Sequence, residues 1–495
     1  MPAKEHFDVL IVGAGISGIG SGVHLQKKCP NKNFIIIEGR EQLGGTWDLF
    51  RYPGIRSDSD MYTLGYVFKP WTHAKAIADA PAILDYLRET VSENALAEKI
   101  RYGRHVKRAT WSSEDSQWTI EVENNSRNSD ADAKETETYS CNFLHMCSGY
   151  YDFSEGYTPA FKGRDTFSGQ IVHPQHWPED INYANKRVVV IGSGATAVTL
   201  IPEIAKSAAH VTMLQRSPTY VVSRPAVDAL ANRLRSLLPA KVAYFLIRWR
   251  NVLFQQYIYR RCQKYPEQAK QRLIDLVRDD LGPDYDVETH FTPKYNPWDQ
   301  RLCLVPDGDM FEAIKEGAAS VVTDHIDCFT ENGILLKSGE NIPADLIITA
   351  TGLKLQFLSD VEFVIDGKSL QANNALTYKG MMLSDVPNMA MSMGYTNASW
   401  TLKCDLTCDY VCRLLNYMDK HGYTRCMPHN SDLALEREAY MGLSSGYVER
   451  AADLLPGQGT RPPWKLHQNY LKDIVMLRHG SLEDEAMEFS GRTEA

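Results

Sequence analysis

The chain has 495 residues, a net charge of -9 and 23% charged residues, which is enough sequence for about three domains. This length excludes a small disulfide-bonded module. Acidic and basic residues are mixed along the chain, which argues against a nucleic-acid partner because phosphate binding requires a basic surface.

Two apolar segments of the sequence bear on secretion and on membrane insertion. The first apolar run, residues 7–12, begins too early to leave room for a signal peptide. The most apolar helical stretch, residues 243–259, is interrupted by Arg248 and Arg250, so no transmembrane segment is predicted. We therefore expect a soluble, cytoplasmic protein.

A strand, a glycine turn and a helix follow one another at the start of the chain. The apolar run 7–12 predicts a buried strand, and a helical pattern ends near Cys29. Between them lies a G-x-G-x-x-G turn formed by Gly13, Gly15 and Gly18. In such a unit the first glycine makes the tight turn, the second lets a pyrophosphate approach the backbone, and the third lets helix pack on strand.

The residue after the next predicted strand, 34–37, is Glu38. A carboxylate about twenty residues after the glycine turn accepts hydrogen bonds from the hydroxyls of an adenosine ribose. The first unit therefore predicts a site for a dinucleotide with an unphosphorylated ribose, as in FAD.

The same unit recurs at a second place. The predicted strand 187–191 precedes a turn and a helix that runs to about Lys206, with alanine in place of the third glycine. The turn consists of Gly192, Ser193, Gly194, Ala195, Thr196 and Ala197. After the next strand, 210–214, come Gln215, Arg216 and Ser217 instead of an acid. A guanidinium binds a 2′-phosphate that a carboxylate would repel, so this unit predicts an NADPH site.

Two dinucleotide sites in one chain predict an α/β protein with two Rossmann-like domains. We expect a discontinuous FAD-binding domain (1–150 and 353–495), an NADPH-binding domain (151–222 and 299–352) and a helical insertion (223–298) within the latter. The runs 143–147 and 345–350 look like segments that cross between the domains. Basic residues alternate with apolar ones in the insertion, which fits either a solvated face or peripheral contact with a membrane.

The ten cysteines include no C-x-x-C pair. Cys404, Cys408 and Cys412 recur every fourth residue and share one stripe of a helix, which indicates reduced thiols in a core. Neither a disulfide nor a metal site is predicted. Disulfide reductase chemistry is excluded because no cysteine pair lies near the first glycine turn.

Two motifs relate the chain to a known family. Residues 167–178 fit F-x-G-x-x-x-H-x-x-x-W-P through Phe167, Gly169, His173 and Trp177, and residues 44–58 fit G-G-x-W-x4-Y-P-G-x3-D. The first pattern resembles the fingerprint of Baeyer-Villiger monooxygenases, class B flavoprotein monooxygenases. The resemblance extends along nearly the whole chain and is greatest to the subfamily of mycobacterial ethionamide-activating monooxygenases.

The resemblance implies a reaction that consumes NADPH and O2 and inserts one oxygen atom next to a ketone carbonyl through a flavin C4a-peroxide. It places the catalytic arginine at Arg301 and its carboxylate partner at Asp58. A guanidinium favours the peroxide anion and the negative oxygen of the adduct. At ~4 Å and an effective dielectric of ~20, such a charge contributes about 4 kcal/mol.

Further positions are implied by the same resemblance. The flavin contacts are Ser17, Gly45, Thr46, Trp47, Asp58 and Val106. The NADPH contacts are Ser57 and the turn from Gly192 to Val198. His173 is assigned to hinge motion between the domains, although a structural role is an equal alternative. Gln300 departs from many ketone-oxidising relatives, which carry lysine there, so selectivity for NADPH over NADH is expected to be looser.

Two alternatives stay open at this point. The substrates are small ketones, or they are sulfides, thioamides or amines oxidised by a protonated hydroperoxide. From another class, the chain could be a redox sensor that uses flavin and NADPH only to change shape. Arg301 beside an intact fingerprint argues against a sensor. The sequence does not identify the oligomeric state.

Overall fold

The computed structural model describes residues 5–125 and 135–491. It is a mixed α/β fold, as predicted, built around two separate sheets, of which the first mixes parallel and antiparallel strands and the second is all parallel. Among the described residues, every helix falls short of the length and hydropathy that a membrane crossing requires. The helices are Ile16–Lys28, Thr46–Leu49, Met61–Leu64, Ala80–Glu93, Ala195–Ala205, Ala229–Leu237, Ala240–Lys264, Pro266–Leu281, Val287–Phe291, Asp309–Lys315, Trp400–His421, Gly446–Glu449 and Tyr470–Ile474.

The first sheet has nine strands, which come from both segments of the predicted FAD domain. Its strands are, in chain order, Glu5–Val12, Phe34–Ile37, Ile100–Arg101, Arg104–Ser112, Gln117–Asn124, Glu135–Met146, Glu362–Ile365, Lys368–Ser369 and Met389–Met391. The strand Glu5–Val12 lies between Phe34–Ile37 and Glu135–Met146 and is parallel to both. Its residues 9–12 are buried because both faces of the sheet are covered.

The second sheet has five strands, all parallel. In spatial order they are Ala319–Thr323, His210–Gln215, Arg187–Ile191, Leu346–Thr349 and Gln170–Val172. The helix Ala195–Ala205 follows the central strand Arg187–Ile191, which is the strand–turn–helix order predicted for the second unit.

Several smaller sheets connect and cover these two. Tyr151–Gly156 pairs antiparallel with Leu353–Leu355 where the chain leaves and re-enters the first sheet. Val221–Arg224 pairs parallel with Cys303–Pro306. The others are Ile326–Thr330 with Gly333–Leu336 and Asn341–Pro343, Thr377–Tyr378 with Met382–Leu383, Arg425–Pro428 with Met487–Ser490, and Arg437–Ala439 with Gly457–Gly459. The predicted domain boundaries stay a prediction, although helices do dominate residues 223–298.

The cysteine stripe lies on the helix Trp400–His421, which packs against Ile16–Lys28. Cys404, Cys408 and Cys412 are buried, and all ten cysteines are free thiols. The predicted burial of these three thiols along one helix is confirmed.

Candidate functional site

Both glycine turns open into one cavity of about 1670 Å³. Each turn follows the carboxyl end of a parallel strand, the position at which α/β folds bind their ligands. The cavity therefore connects the two predicted dinucleotide sites.

The first glycine turn packs closely against neighbouring backbone on one side and faces the cavity on the other. Gly13 has φ +103°, and a Cβ on it would lie 2.7 Å from the Cys147 carbonyl oxygen. A Cβ on Gly18 would lie 1.8 Å from the Gly13 carbonyl oxygen, so helix and strand touch there. Gly15 begins the helix without a side-chain cap. The first N–H groups of that helix are thus free to bind an anion from the cavity.

Glu38 is buried at the edge of the same turn and lines the cavity. Its carboxylate accepts hydrogen bonds from the backbone N–H groups of Ala14 at 2.6 Å and Arg40 at 2.9 Å. Burial raises the pKa of Glu38, and these two N–H groups oppose that shift. The turn therefore fixes the carboxylate where a ribose would lie.

The second turn repeats this construction. Gly192 has φ +128°, and a Cβ on it would lie 2.3 Å from the Ala350 carbonyl oxygen. Gly194 caps the helix Ala195–Ala205 without a side-chain hydrogen bond. A Cβ on Gly194 would meet no protein atom within 4 Å, so the backbone at this position faces open cavity. Ala197 is fully buried, which is where the third glycine stands in the first unit.

Arg216 and Ser217 follow the strand His210–Gln215, are exposed, and line the cavity. Lys337 is a further cation on the same wall that the sequence did not single out. Backbone hydrogen bonds bring it close: Asp324 N donates to Gln215 O at 3.0 Å, and Lys337 N donates to His325 O at 2.9 Å. No motif marks Lys337, because it reaches this wall only through the pairing of distant strands.

The predicted catalytic pair meets at the cavity wall. Arg301 Nη1 lies 3.5 Å from Asp58 Oδ2, and the two side chains are 36% and 53% exposed. Arg301 Nη2 also lies 3.5 Å from the Tyr150 hydroxyl oxygen. Tyr150, followed by Tyr447, Tyr151 and Asp58, raises the pKa of Arg301 against the opposing effect of burial. The guanidinium is therefore a permanent cation held by long, weak contacts.

Aromatic residues that were not among the predicted site residues lie beside this pair. Tyr150 stacks on Trp400 with ring centroids 5.2 Å apart. Trp400 Nε1 donates a hydrogen bond to Ser17 Oγ at 2.9 Å. This chain of contacts joins Arg301 to the first glycine turn.

The fingerprint residues lie behind the cavity. His173 Nδ1 accepts from Gln175 N at 3.2 Å, which leaves Nε2 to donate to the Gly352 carbonyl oxygen at 3.2 Å. Burial lowers the pKa of His173. A Cβ on Gly156 would lie 1.9 Å from the His173 ring. The histidine is thus packed against both strands of the pair Tyr151–Gly156 and Leu353–Leu355.

The other fingerprint residues pack within the part of the chain that holds the second sheet. Phe167 is buried and meets Phe329 edge-on at 6.5 Å. A Cβ on Gly169 would lie 2.6 Å from the Asp345 carbonyl oxygen. Trp177 packs partly buried against the core of this sheet. These three residues shape the scaffold and do not line the cavity.

Most of the predicted cofactor residues line the one cavity. Those assigned to FAD are Gly13, Gly15, Ser17, Glu38, Gly45, Thr46, Trp47, Asp58 and Val106. Those assigned to NADPH are Ser57, Gly192, Ser193, Gly194, Ala195, Thr196, Arg216 and Ser217. Gly18, Ala197 and Val198 are buried behind the turns instead.

Comparison with known proteins agrees with this geometry. The family model described as flavin-binding monooxygenase-like matches residues 73–396, and the model of an NAD(P)-binding Rossmann-like domain matches residues 11–80. The chain is 52% identical to the FAD-containing monooxygenase EthA of Mycobacterium tuberculosis, covering 99% of this chain and 98% of that protein. It is 49% identical to the probable FAD-binding monooxygenase AlmA of Acinetobacter baylyi, covering 99% and 97%.

Solved structures share the fold at lower identity. An oxidised steroid monooxygenase bound to NADP aligns with a TM-score of 0.77 at 23% identity, over 98% of this chain and 100% of that one. The OTEMO complex with FAD and NADP aligns with a TM-score of 0.75 at 21% identity, over 99% and 100%. With full-length relatives near half identity and a family model over most of its length, the chain belongs to the flavin-binding monooxygenase-like family.

Proposed function

We propose that this monooxygenase uses FAD, NADPH and O2 to carry out a Baeyer-Villiger reaction, inserting one oxygen atom next to a ketone carbonyl to give an ester or lactone. The observation that carries the proposal is the position of Arg301, a cation on the wall of the cavity that connects both glycine turns. Sulfides and thioamides are proposed as further substrates.

The residues fit both dinucleotides. At the first turn, uncapped helix N–H groups and the Glu38 carboxylate offer a pyrophosphate site and a ribose site. At the second turn, the open face of Gly194 leaves room for a pyrophosphate to approach the backbone. Arg216 and Lys337 on the adjoining wall supply positive charge for a 2′-phosphate. When bound, FAD and NADPH together supply the hydride transfer and the activation of O2.

Arg301 has the task of stabilising negative oxygen. Its guanidinium contributes N–H donors and a permanent charge where the substrate carbonyl oxygen becomes an oxyanion. Because the side chain is 36% exposed, we expect water to screen this charge until a substrate or cofactor covers it.

Asp58 orients Arg301 without holding it tightly. At 3.5 Å the pair is longer than a strong charge-assisted hydrogen bond. Arg301 Nε is buried and has no hydrogen-bond partner among the described residues, so the surrounding protein leaves part of the guanidinium without a hydrogen bond. We infer that Arg301 changes partners between the steps that use NADPH and the step that uses the ketone.

Oxidation of a sulfide or thioamide is an electrophilic transfer to sulfur and creates no oxyanion on the substrate. Loss of Arg301 is therefore expected to reduce this activity less. The test of the proposal is product analysis of a panel of ketones and sulfides with NADPH and O2. Esters or lactones from ketones support it, whereas sulfoxides alone would restrict the enzyme to heteroatom oxidation.

The proposed setting is the cytoplasm. All ten cysteines are free thiols, as expected for a protein kept in a reducing compartment.

A further inference from the structure

Exposed apolar side chains are concentrated on one part of the surface. Of the fifteen large hydrophobic residues that are exposed in the described chain, eleven lie between Val227 and Tyr265. On the helix Ala240–Lys264, four of them recur at intervals that place them on one side. This exposed apolar face consists of Val242, Phe245, Leu246 and Leu253, which are 47%, 59%, 45% and 51% exposed.

The exposed apolar face is not needed to hold the helix in place. Other positions on the helix, including Ala243, Tyr244 and Ile247, are buried. Tyr244 donates a hydrogen bond from its hydroxyl to the Tyr66 carbonyl oxygen at 2.9 Å. Arg248 donates to the Gly65 carbonyl oxygen at 2.7 Å. The helix is thus anchored by one side and apolar on another, the pattern of a surface that is covered by a partner.

The charge around this face indicates an anionic partner. Residues 229–266 contain eight Lys or Arg and no Asp or Glu, although the whole chain has a net charge of -9. Five of these cations are exposed: Arg233, Lys241, Arg260, Arg261 and Lys264. None of the five forms an ion pair with a carboxylate in residues 5–125 or 135–491. Pairing this surface with its own copy would bring like charges together.

The same helix borders the cavity. Phe254, Ile258 and Arg261 line its wall, one to two turns from the exposed apolar face. A surface that binds this helix would therefore lie beside the entrance through which a substrate arrives.

We propose that the exposed apolar face and the cations around it dock the enzyme on an anionic lipid bilayer. The apolar side chains enter the interface between headgroups and acyl chains, and the cations bind the negative surface. An apolar substrate dissolved in the bilayer then reaches the cavity without crossing water. This last step rests on the proposed function, whereas the docking does not.

The test is sedimentation of the FAD-loaded full chain with vesicles of neutral phosphatidylcholine, or of the same lipid with 30% of its anionic phosphatidylglycerol analogue. We expect binding to the anionic vesicles only, weakened by added salt. Phe245→Glu with Leu253→Glu should abolish it. Lys241→Gln should weaken it about fivefold, the usual effect of one basic residue near a charged surface.

Leu433→Glu with Leu454→Glu is the matched control, since both residues are exposed apolar positions outside this helix. This variant should bind vesicles like the unchanged protein. Each variant is also assayed with a short, water-soluble substrate, and its flavin content is measured. An unchanged rate of oxidation and an unchanged flavin content show that the variant is folded.

Equal binding to both lipid mixtures, or unchanged binding by Phe245→Glu with Leu253→Glu, would overturn the proposal. It would also be overturned if the unchanged protein formed a dimer that this double substitution dissociated, because the face would then be an interface between copies. Vesicle binding is measured without turnover, so its failure is distinguishable from failure of the proposed reaction.

Discussion

His173 Nε2 lies 3.2 Å from the carbonyl oxygen of Gly352. The fingerprint histidine is therefore bonded to the residue that directly precedes Leu353–Leu355, which pairs with Tyr151–Gly156 where the chain passes between the sheets. Because burial lowers the pKa of His173, the ring is neutral at pH 7 and acts as a hydrogen-bonded strut between these segments.

We expect His173→Ala to lower the free energy of unfolding by about 1 kcal/mol, the usual worth of such a hydrogen bond. It should also slow NADPH oxidation while leaving the flavin content unchanged. His176→Ala is the matched control, since His176 lies in the same fingerprint and within hydrogen-bonding distance of a carbonyl oxygen, that of Ser154, at 2.9 Å. Equal losses in both variants would show that the role of His173 is only structural. The measurements are urea unfolding and stopped-flow flavin reduction.

The glycines of the second turn offer a separation of folding from binding. Gly194→Ala adds a methyl group to open cavity, so the variant should fold normally and bind NADPH at least tenfold more weakly by obstructing the pyrophosphate. In Gly192→Ala the new Cβ would clash with the Ala350 carbonyl oxygen, and the backbone has a φ of +128° that alanine rarely adopts. The folded state of this variant should therefore be destabilised by ~1–3 kcal/mol. Gly442→Ala, also in open space, is the control. Normal NADPH affinity in Gly194→Ala would move the pyrophosphate elsewhere.

Coenzyme selectivity depends on Arg216 if this residue binds the 2′-phosphate. Arg216→Ala should then lose about 1.5–3 kcal/mol of NADPH binding, the range for a charge-assisted hydrogen bond, with NADH hardly affected. Gln300→Lys should tighten NADPH binding, because Gln300 lines the same cavity, where its side chain donates a 3.3 Å hydrogen bond to the Ser444 carbonyl oxygen. The measurement is the ratio of kcat/KM for the two coenzymes, and an equal loss for both would assign Arg216 another task.

Acid stability should depend on His145, which is fully buried between Ser21 and Ser392. Burial lowers the pKa of His145 to about 3, so the folded state resists protonation that the unfolded state accepts below pH ~6.5. Stability contributed by neutral His145 is thus present above that pH and lost as the pH falls toward 3. Between pH 6.5 and 5.0 the loss is about 2 kcal/mol. His145→Gln should remove this part of the pH dependence in urea unfolding, and an unchanged slope would contradict it.

Features of the fold and of the site could be predicted from the sequence where the residues that define them lie close together in the chain or at a fixed spacing. Both strand–turn–helix units were predicted because residues 7–18 and 187–197 carry their whole pattern within a few turns of chain. Glu38 and Arg216 follow from a fixed spacing. The α/β class with two Rossmann-like folds is confirmed by the two sheets and by the relatives.

Contacts between distant segments were not predicted from local patterns. Lys337 reaches the wall near Arg216 only because the segments 323–325 and 336–338 meet there. The stacking of Tyr150 on Trp400 joins residues from two separate parts of the chain. Arg301 and Asp58 were paired through resemblance to a family, since no spacing relates residues so far apart.

The most direct test of the proposed chemistry is product yield per NADPH consumed by Arg301→Ala, with one ketone and one sulfide. We expect the variant to bind FAD and to oxidise NADPH more slowly, with no ester formed from the ketone and the reducing equivalents recovered as hydrogen peroxide. Sulfoxidation should be reduced less than ester formation. Arg301→Lys keeps the charge but loses the planar guanidinium, so it should restore little ester formation if the geometry of the donors matters. Ester formation by Arg301→Ala at the level of the unchanged enzyme would contradict the account.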